Sequence, residues 1–350
     1  MANPDLVKQF GGKLLNIYTG GVLTKLIDIG YQLNLFEASK ARPATSEELS
    51  ERSGLKERYV REWLGAMTTS GIYTYDPESK RYTLPEEHAV LLTGNSAQNL
   101  CPHSQMINHF GGHLPSLVDC FRVGGGIPYS AYRPAFTQCM DDVWRRIYDQ
   151  QLLSGFIGVV DGLAERLQQG VRVLDVGCGT GHAMNILAQE FPSSRFYGYD
   201  IAEDAIESAR AEAKNMSLTN ASFEVVDVTN LPKEPKYDVI TAFDAIHDQK
   251  DPDSVLRGIN QALAPGGTFL MIDFKFSSRV EENIKNPFAP MYYGISLMHC
   301  MPVSLALGGK GLGAVWGEQI ATKMLKSAGF GSIKVLDTAR PQNCVYVCTH

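Results

Sequence analysis

Three carboxylates, three glycines and one histidine carry the chemistry legible in this sequence. Residues 173–183, VLDVGCGTGHA, place Asp175 ahead of Gly177, Gly179 and Gly181. The apolar positions Val171, Val173, Leu174 and Val176 read as a buried strand, and Ala183, Ile186 and Leu187 as one face of a helix that follows. Strand, glycine turn and helix make a backbone pocket beyond the carboxyl end of a parallel strand, where open α/β sheets bind ligands. The next strand, 195–199, ends in Asp200, 19 residues past Gly181. An acid there accepts hydrogen bonds from ribose hydroxyls, and Ile201 beside it could pack on an adenine face. Strand 223–226 ends in Asp227-Val228, and strand 237–243 ends in Phe243. His247-Asp248 lies just past that tip. Imidazole titrates near neutrality and can take a proton from a reacting hydroxyl.

A dinucleotide site would need G-x-G-x-x-G or a closing alanine. Counting from Gly177 puts His182 in third place, and counting from Gly179 puts Met184 there, so both registers fail. The motif is D-x-G-x-G-x-G. Its leading carboxylate would repel a pyrophosphate and suits a ligand carrying an ammonium and a sulfonium. Singly, each acid could be a solvated strand end. Together, Asp175, Asp200 and Asp227 recur at matching positions of successive strands. The run closely resembles motif I of the seven-stranded, class I S-adenosylmethionine (SAM) dependent methyltransferases. The resemblance implies a SAM site built from Asp175, Gly177, Gly179, Gly181, Asp200, Ile201, Asp227, Val228 and Phe243, with Asp227 receiving the adenine amino group.

Around these residues the chain must supply an alternating framework. At 350 residues it holds about two domains, and its hydrophobic content of 44% is ample for a core. Strand and helix patterns alternate after residue 171, the signature of a doubly wound parallel sheet. Upstream, residues 5–40 read as helical. Thr45 with Glu48 fits a capping box, Gly54 ends that helix, and 56–70 forms a second with Val60, Leu64 and Met67 inward. Residues 73–75 and 81–84 around Asp76-Pro77-Glu78-Ser79 suggest a hairpin. Helix-turn-helix plus hairpin is a winged-helix pattern. Residues 1–94 hold 11 Lys or Arg against 12 Asp or Glu, and the whole chain carries −6, which argues against nucleic-acid binding. Cys101, His103, His109 and His113 invite a metal reading, but Gly111-Gly112 breaks their helix and typical zinc spacing is missing. No metal is expected. Seven irregularly spaced cysteines, no long apolar run and no basic leader point to reduced thiols in a cytoplasmic protein. The expected division is a winged-helix domain at 1–94, a helical linker region at 95–150 with a hinge near Gly124-Gly125-Gly126, and the catalytic domain at 151–350.

The segment FDAIHDQKDPDSVLRGINQALAPGGTFLMIDF closely resembles the plant and bacterial small-molecule O-methyltransferases. In that family the histidine of the pair is the general base, which carries over to His247. The family orients this histidine with carboxylates. Asp273 stands at the first of these, a shorter acid than the usual Glu, and Val315 stands at the second, with Glu318 nearby but out of register. The N-terminal domain resembles that family's dimerisation domain, which implies a homodimer. Residues 275–318 form a long insertion whose aromatics and methionines suit core or a pocket wall, and Pro265-Gly266-Gly267 reads as a turn. The whole chain, with its LGAVWGEQ run, also resembles a group of SAM-dependent methyltransferases with an N-terminal winged helix. The expectation is α/β: a seven-stranded Rossmann-like methyltransferase domain behind a mainly α winged-helix domain. It would transfer a methyl group from SAM to a hydroxyl oxygen of a small, partly aromatic acceptor. Nitrogen, sulfur or carbon acceptors, and a SAM-sensing DNA-binding regulator, are the alternatives.

Overall fold

The computed structural model describes residues 1–234 and 236–350. The chain divides into two compact units, Met1–Gly111 and Gly112–His350.

The first unit is mainly helical. Its opening helix, Pro4–Gln32, starts where the Asn3 side chain accepts from the Asp5 N–H at 3.0 Å. The helix Ser46–Ser53 carries the expected capping box, with Thr45 and Glu48 each bonding the other's backbone, and closes at Gly54 with φ 70°. Helix Glu57–Thr69 and the antiparallel pair β1 (Thr74–Asp76) and β2 (Arg81–Thr83) complete the winged helix. Leu49, Val60, Leu64 and Met67 are buried in its core with Phe36 and Trp63, whose indole N–H donates to the Leu26 carbonyl at 2.8 Å. Arg81 ties the wing back to the cap through two 2.6 Å hydrogen bonds to Glu48.

The second unit is built on a seven-stranded sheet. Its strands are β3 (Arg172–Val176), β4 (Arg195–Asp200), β5 (Ala221–Val225), β6 (Tyr237–Phe243), β7 (Leu263–Phe274), β8 (Ser332–Asp337) and β9 (Asn343–Thr349). Their order is β5-β4-β3-β6-β7-β9-β8, with β3 to β7 parallel and β9 antiparallel to both its neighbours. Helices cover the sheet, so its central strands are largely apolar: Leu174, Val176, Ile240, Ala242, Phe269 and Met271 are fully enclosed. Strand order reverses between β3, which pairs with β4, and β6, which pairs with β7. That is the switch point where such sheets bind ligands.

Two local features differ from the sequence expectation. The Pro265-Gly266-Gly267 stretch lies within β7 rather than before it, because pairing begins already at Leu263 opposite Tyr237. Gly266, at φ 73°, absorbs the register shift that follows. Two single π-helical turns, Leu152–Ile157 and Ser296–Cys300, extend the helices Ala135–Gln151 and Ala289–Ile295. Neither has a periodicity that sequence reading detects. No helix among the described residues is long and apolar enough to cross a membrane.

Gly181 has φ 71°, and a Cβ there would meet Phe223 at 2.5 Å and Ala209 at 2.6 Å. Both strain and overlap oppose any side chain. Gly181→Ala should destabilise the second unit by about 1–3 kcal/mol, read as a lower urea midpoint with unchanged m-value.

Candidate active site

The glycine loop is stitched to the end of β4. Gly177 and Cys178 N–H groups donate to the Tyr199 carbonyl at 2.8 and 3.1 Å. Gly179 N–H donates to Asp200 Oδ2 at 2.9 Å, and Ala202 N–H to Asp200 Oδ1 at 2.8 Å. Burial pushes the Asp200 carboxyl upward, and these two amides oppose the push. Asp175 is 2% exposed and accepts from the Thr241 hydroxyl at 2.7 Å. Burial pushes its carboxyl up to about 7. Asp227 is less enclosed. Burial acts on it too, but hydrogen bonds from Thr229 and the Lys250 ammonium at 3.2 Å hold its carboxyl below the usual range.

These residues surround one cavity of about 250 Å³. Asp175, Gly177, Gly179, Asp200, Ile201, Asp227, Val228 and Phe243 all line it. Gly181 lies outside the lining and packs on Phe223 and Ala209 instead. The opposite wall comes from the helix Ala135–Gln151, whose Trp144 and Tyr148 rings stack at 5.3 Å, with Tyr148 edge-on to Phe243 at 5.3 Å. In the sequence, the one signal of this wall is an aromatic pair at i, i+4. His182, which breaks the dinucleotide pattern, is buried in an ion cluster with Asp149 and Glu212, each at 2.9 Å.

His247 and Asp273 meet behind this cavity, each 1% exposed. Because the carboxylate can only accept, the ring's Nδ1–H donates to it, 3.0 and 3.1 Å from the two oxygens. Asp273 also accepts from Trp316 Nε1–H at 3.1 Å and from the Phe274 N–H at 2.8 Å. Burial alone would depress the imidazole's pKa, but Asp273 and then Asp248 outweigh it and hold the ring well above its ordinary value. Neither His247 nor Asp273 lines the cavity; Asp248, with Oδ1 3.4 Å from His247 Nε2, does. Glu318 is exposed and does not join the pair. Beside the vacant place of a second carboxylate, Trp316 serves as the additional partner of Asp273. Asp244 was missed as well. It sits at φ 48° on the cavity wall with both carboxyl oxygens buried and without a hydrogen-bond partner, and burial followed by repulsion from Asp273 raises its pKa far above normal. Among the described residues, the group with donors placed for a metal is His247, Asp248 and Cys300.

With this geometry in view, residues 167–329 match the family profile described as "Methyltransferase domain", and residues 21–94 the one described as "Rv2258c-like winged HTH domain". Residues 167–329 are a methyltransferase domain. Over 102 residues the chain is 35% identical to trans-aconitate 2-methyltransferase of Variovorax paradoxus, covering 29% of this chain and 38% of that protein. The chain spans about half the length, or less, of the curated relatives it matches. Two solved structures share the fold over nearly the full chain. Mitomycin 7-O-methyltransferase aligns with a TM-score of 0.74 at 18% identity, over 99% of this chain and 100% of its own. Human N-acetylserotonin methyltransferase, solved with SAM, aligns at 0.70 and 17% identity, over 97% of each. In chain order the methyltransferase domain therefore follows a winged helix, as the sequence resemblance implied.

Removing the charge on Asp273 leaves burial as the dominant influence on His247. In Asp273→Asn the imidazole pKa should fall, with Asp248 still opposing burial. Histidine ring resonances followed through a pH titration would show this, and an unchanged midpoint would refute the coupling.

Proposed function

We propose that this chain is a SAM-dependent methyltransferase that methylates a hydroxyl oxygen of a small, partly aromatic acceptor, with His247 as general base. The observation that carries the reading is the gathering of Asp175, the glycine loop, Asp200 and Asp227 around one cavity, with the His247–Asp273 pair directly behind it. The residues suit the donor. Gly179, at φ 53°, has no protein atom within 4 Å of where a Cβ would stand, so its glycine leaves the cleft open at the loop. When bound, SAM supplies an electrophilic methyl group on a sulfonium.

The remaining chemistry belongs to the chain. Asp175 faces the ligand's ammonium, Asp200 keeps a lone pair on each oxygen for the ribose hydroxyls, and Ile201 covers the adenine face. Asp227 takes the adenine amino group beside its Lys250 contact. Holding acceptor oxygen and methyl carbon in line supplies most of the acceleration. The acceptor oxygen would take the methyl carbon while the sulfonium sulfur keeps the bonding pair, and the acceptor's proton would pass to His247 by way of Asp248, which lines the cavity 3.4 Å from Nε2. Asp273 stabilises the imidazolium so formed, and Trp316 steadies Asp273. In the empty site the same carboxylates favour imidazolium, but a bound sulfonium opposes that charge and favours the neutral base. The aromatic wall of Trp144, Tyr148 and Phe243 suits a flat acceptor.

A homodimer is the assembly we favour. The long first helix leaves Leu6, Val7, Phe10, Ile17 and Tyr18 exposed, an apolar surface of the kind buried between subunits. The near-neutral charge of residues 1–94 weighs against DNA as the partner.

The reading is tested first by heat stabilisation. SAM should raise the melting temperature of the unaltered chain and of His247→Ala but not of Asp200→Ala. His247→Ala should then lose about 10²–10⁴-fold in kcat once an acceptor is found. No shift with saturating SAM in the unaltered chain would end the reading. Asp175 adds a pH dependence. Below about 7 its carboxyl is protonated and the attraction for an ammonium is lost. The dissociation constant for SAM should therefore fall as pH rises from 6 toward 8, by up to about tenfold per unit. Calorimetry should show this dependence vanish in Asp175→Asn, and a flat profile in the unaltered chain would remove Asp175 from the site.

A further inference from the structure

We infer that His247, Asp248 and Cys300 form a binding site for a zinc-type divalent ion at the edge of the cavity. The donors are an imidazole nitrogen, a carboxylate oxygen and a thiol sulfur, all within 4.8 Å of one another. Nε2 of His247 and Oδ1 of Asp248 are 3.4 Å apart. A tetrahedral zinc with bonds of about 2.0–2.3 Å separates its ligand atoms by roughly 3.3–3.7 Å, so little movement is needed to close around an ion.

Three further observations favour an ion here. First, Asp273 takes the Nδ1–H of His247 and is itself held by Trp316 and the Phe274 amide. A carboxylate on the far nitrogen is the usual outer partner of a metal-binding histidine, since it fixes the tautomer and turns the Nε2 lone pair outward. Second, Nε2 lies 3.4 Å from the buried Asp248 Oδ1, a gap that the imidazolium proton fills in the empty site and that a metal ion would fill in its place. Third, the ligands are brought together by a clasp independent of them. Ser304 Oγ, just past the π-helical turn that bears Cys300, donates to the Gln249 carbonyl at 2.9 Å, one residue beyond Asp248. Asp248 lines the cavity, so the ion's fourth position would open toward it. On binding, the Cys300 thiol gives its proton to solvent and ligates as thiolate.

The site stands independently of the proposed reaction, but its consequence rests on that reading. An ion on Nε2 occupies the lone pair that His247 needs as a base, so the loaded chain would not transfer methyl groups.

Cobalt(II) titrated into the full-length, chelator-treated chain tests the site. The expected result is one ion per chain, a thiolate-to-cobalt charge-transfer band in the near ultraviolet, and displacement by zinc. Cys300→Ser should abolish the band. Asp248→Asn, a half-buried change that does not threaten the core, should weaken binding by at least the roughly 10–100-fold that loss of an outer partner costs. No band at saturating cobalt overturns the proposal, because a proton then suffices between His247 and Asp248. A band that survives Cys300→Ser, or an affinity unchanged in Asp248→Asn, overturns it equally. If cobalt binds as expected and zinc leaves methyl transfer intact, the site stands and His247 is removed as the base.

Discussion

The hold of β4 on the glycine loop is the constraint on which the rest of the site depends. Gly177, Gly179 and Gly181 all take positive φ, which other residues enter only at a cost. Such a loop keeps one shape only if its amides are satisfied from outside. Tyr199 and Asp200 do this, one with its backbone carbonyl and the other with its carboxylate. The loop's shape is thus tied to the β3–β4 register, in which Val176 pairs with Tyr199. A one-residue slip would present Asp200 to the wrong amide, while Asp175 is held separately by Thr241, opposite it on β6. The same carboxylate that shapes the loop is the one placed for a ribose, so loop geometry and ligand recognition share an atom.

The second dependency is electrostatic. Asp273 and His247 are both removed from water, and taking two ions out of solvent costs several kcal/mol each after relaxation. Their mutual attraction offsets this only because the carboxylate's remaining lone pairs are filled by Trp316 and the Phe274 amide. Losing one partner would strand the other, a loss of about 3–5 kcal/mol in comparable buried pairs. Asp244 adds a carboxyl with neither oxygen hydrogen-bonded, and Asp248 adds one with its Oδ1 unbonded. The region is therefore left hungry for positive charge, which a sulfonium, an imidazolium or a metal ion can each supply.

What was legible in the sequence follows from how locally each feature is determined. The acids Asp175, Asp200 and Asp227 end strands whose apolar runs are contiguous, and the capping box at Thr45 and Glu48 lies within one turn. Such signals survive in one dimension. Thr241 reads as an ordinary strand residue, yet its hydroxyl is what holds Asp175. Trp316 stood out only as part of a run, because its indole meets Asp273 from a distant stretch of chain. Cys300 is separated from His247 by β7 and the insertion, and no ligand spacing announces it. The π-helical turn that bears it has no sequence period. The carboxylate sought near Val315 was replaced by an indole donor, a substitution of one hydrogen-bonding partner for another that only packing reveals.

The turn at Asp244 shows how these pieces are joined. β6 and β7 pair in parallel as far as Phe243 opposite Ile272, and Asp244 N–H still donates to the Ile272 carbonyl at 2.9 Å. The ladder is therefore complete on that side while the chain has already left it, since Asp244 adopts a left-handed conformation at φ 48°. For a residue other than glycine this conformation costs about 1–2 kcal/mol and persists only where its surroundings enforce it. Here the ladder bond fixes one end and the His247–Asp273 contact fixes the other. Bending the chain at this point lets His247 reach across the strand tips to Asp273, which follows Ile272 on the neighbouring strand. A straight continuation of β6 would carry the histidine past its partner. The strained residue therefore sits where strand pairing must give way to chemistry, and its own carboxyl is delivered to the cavity wall by the same turn.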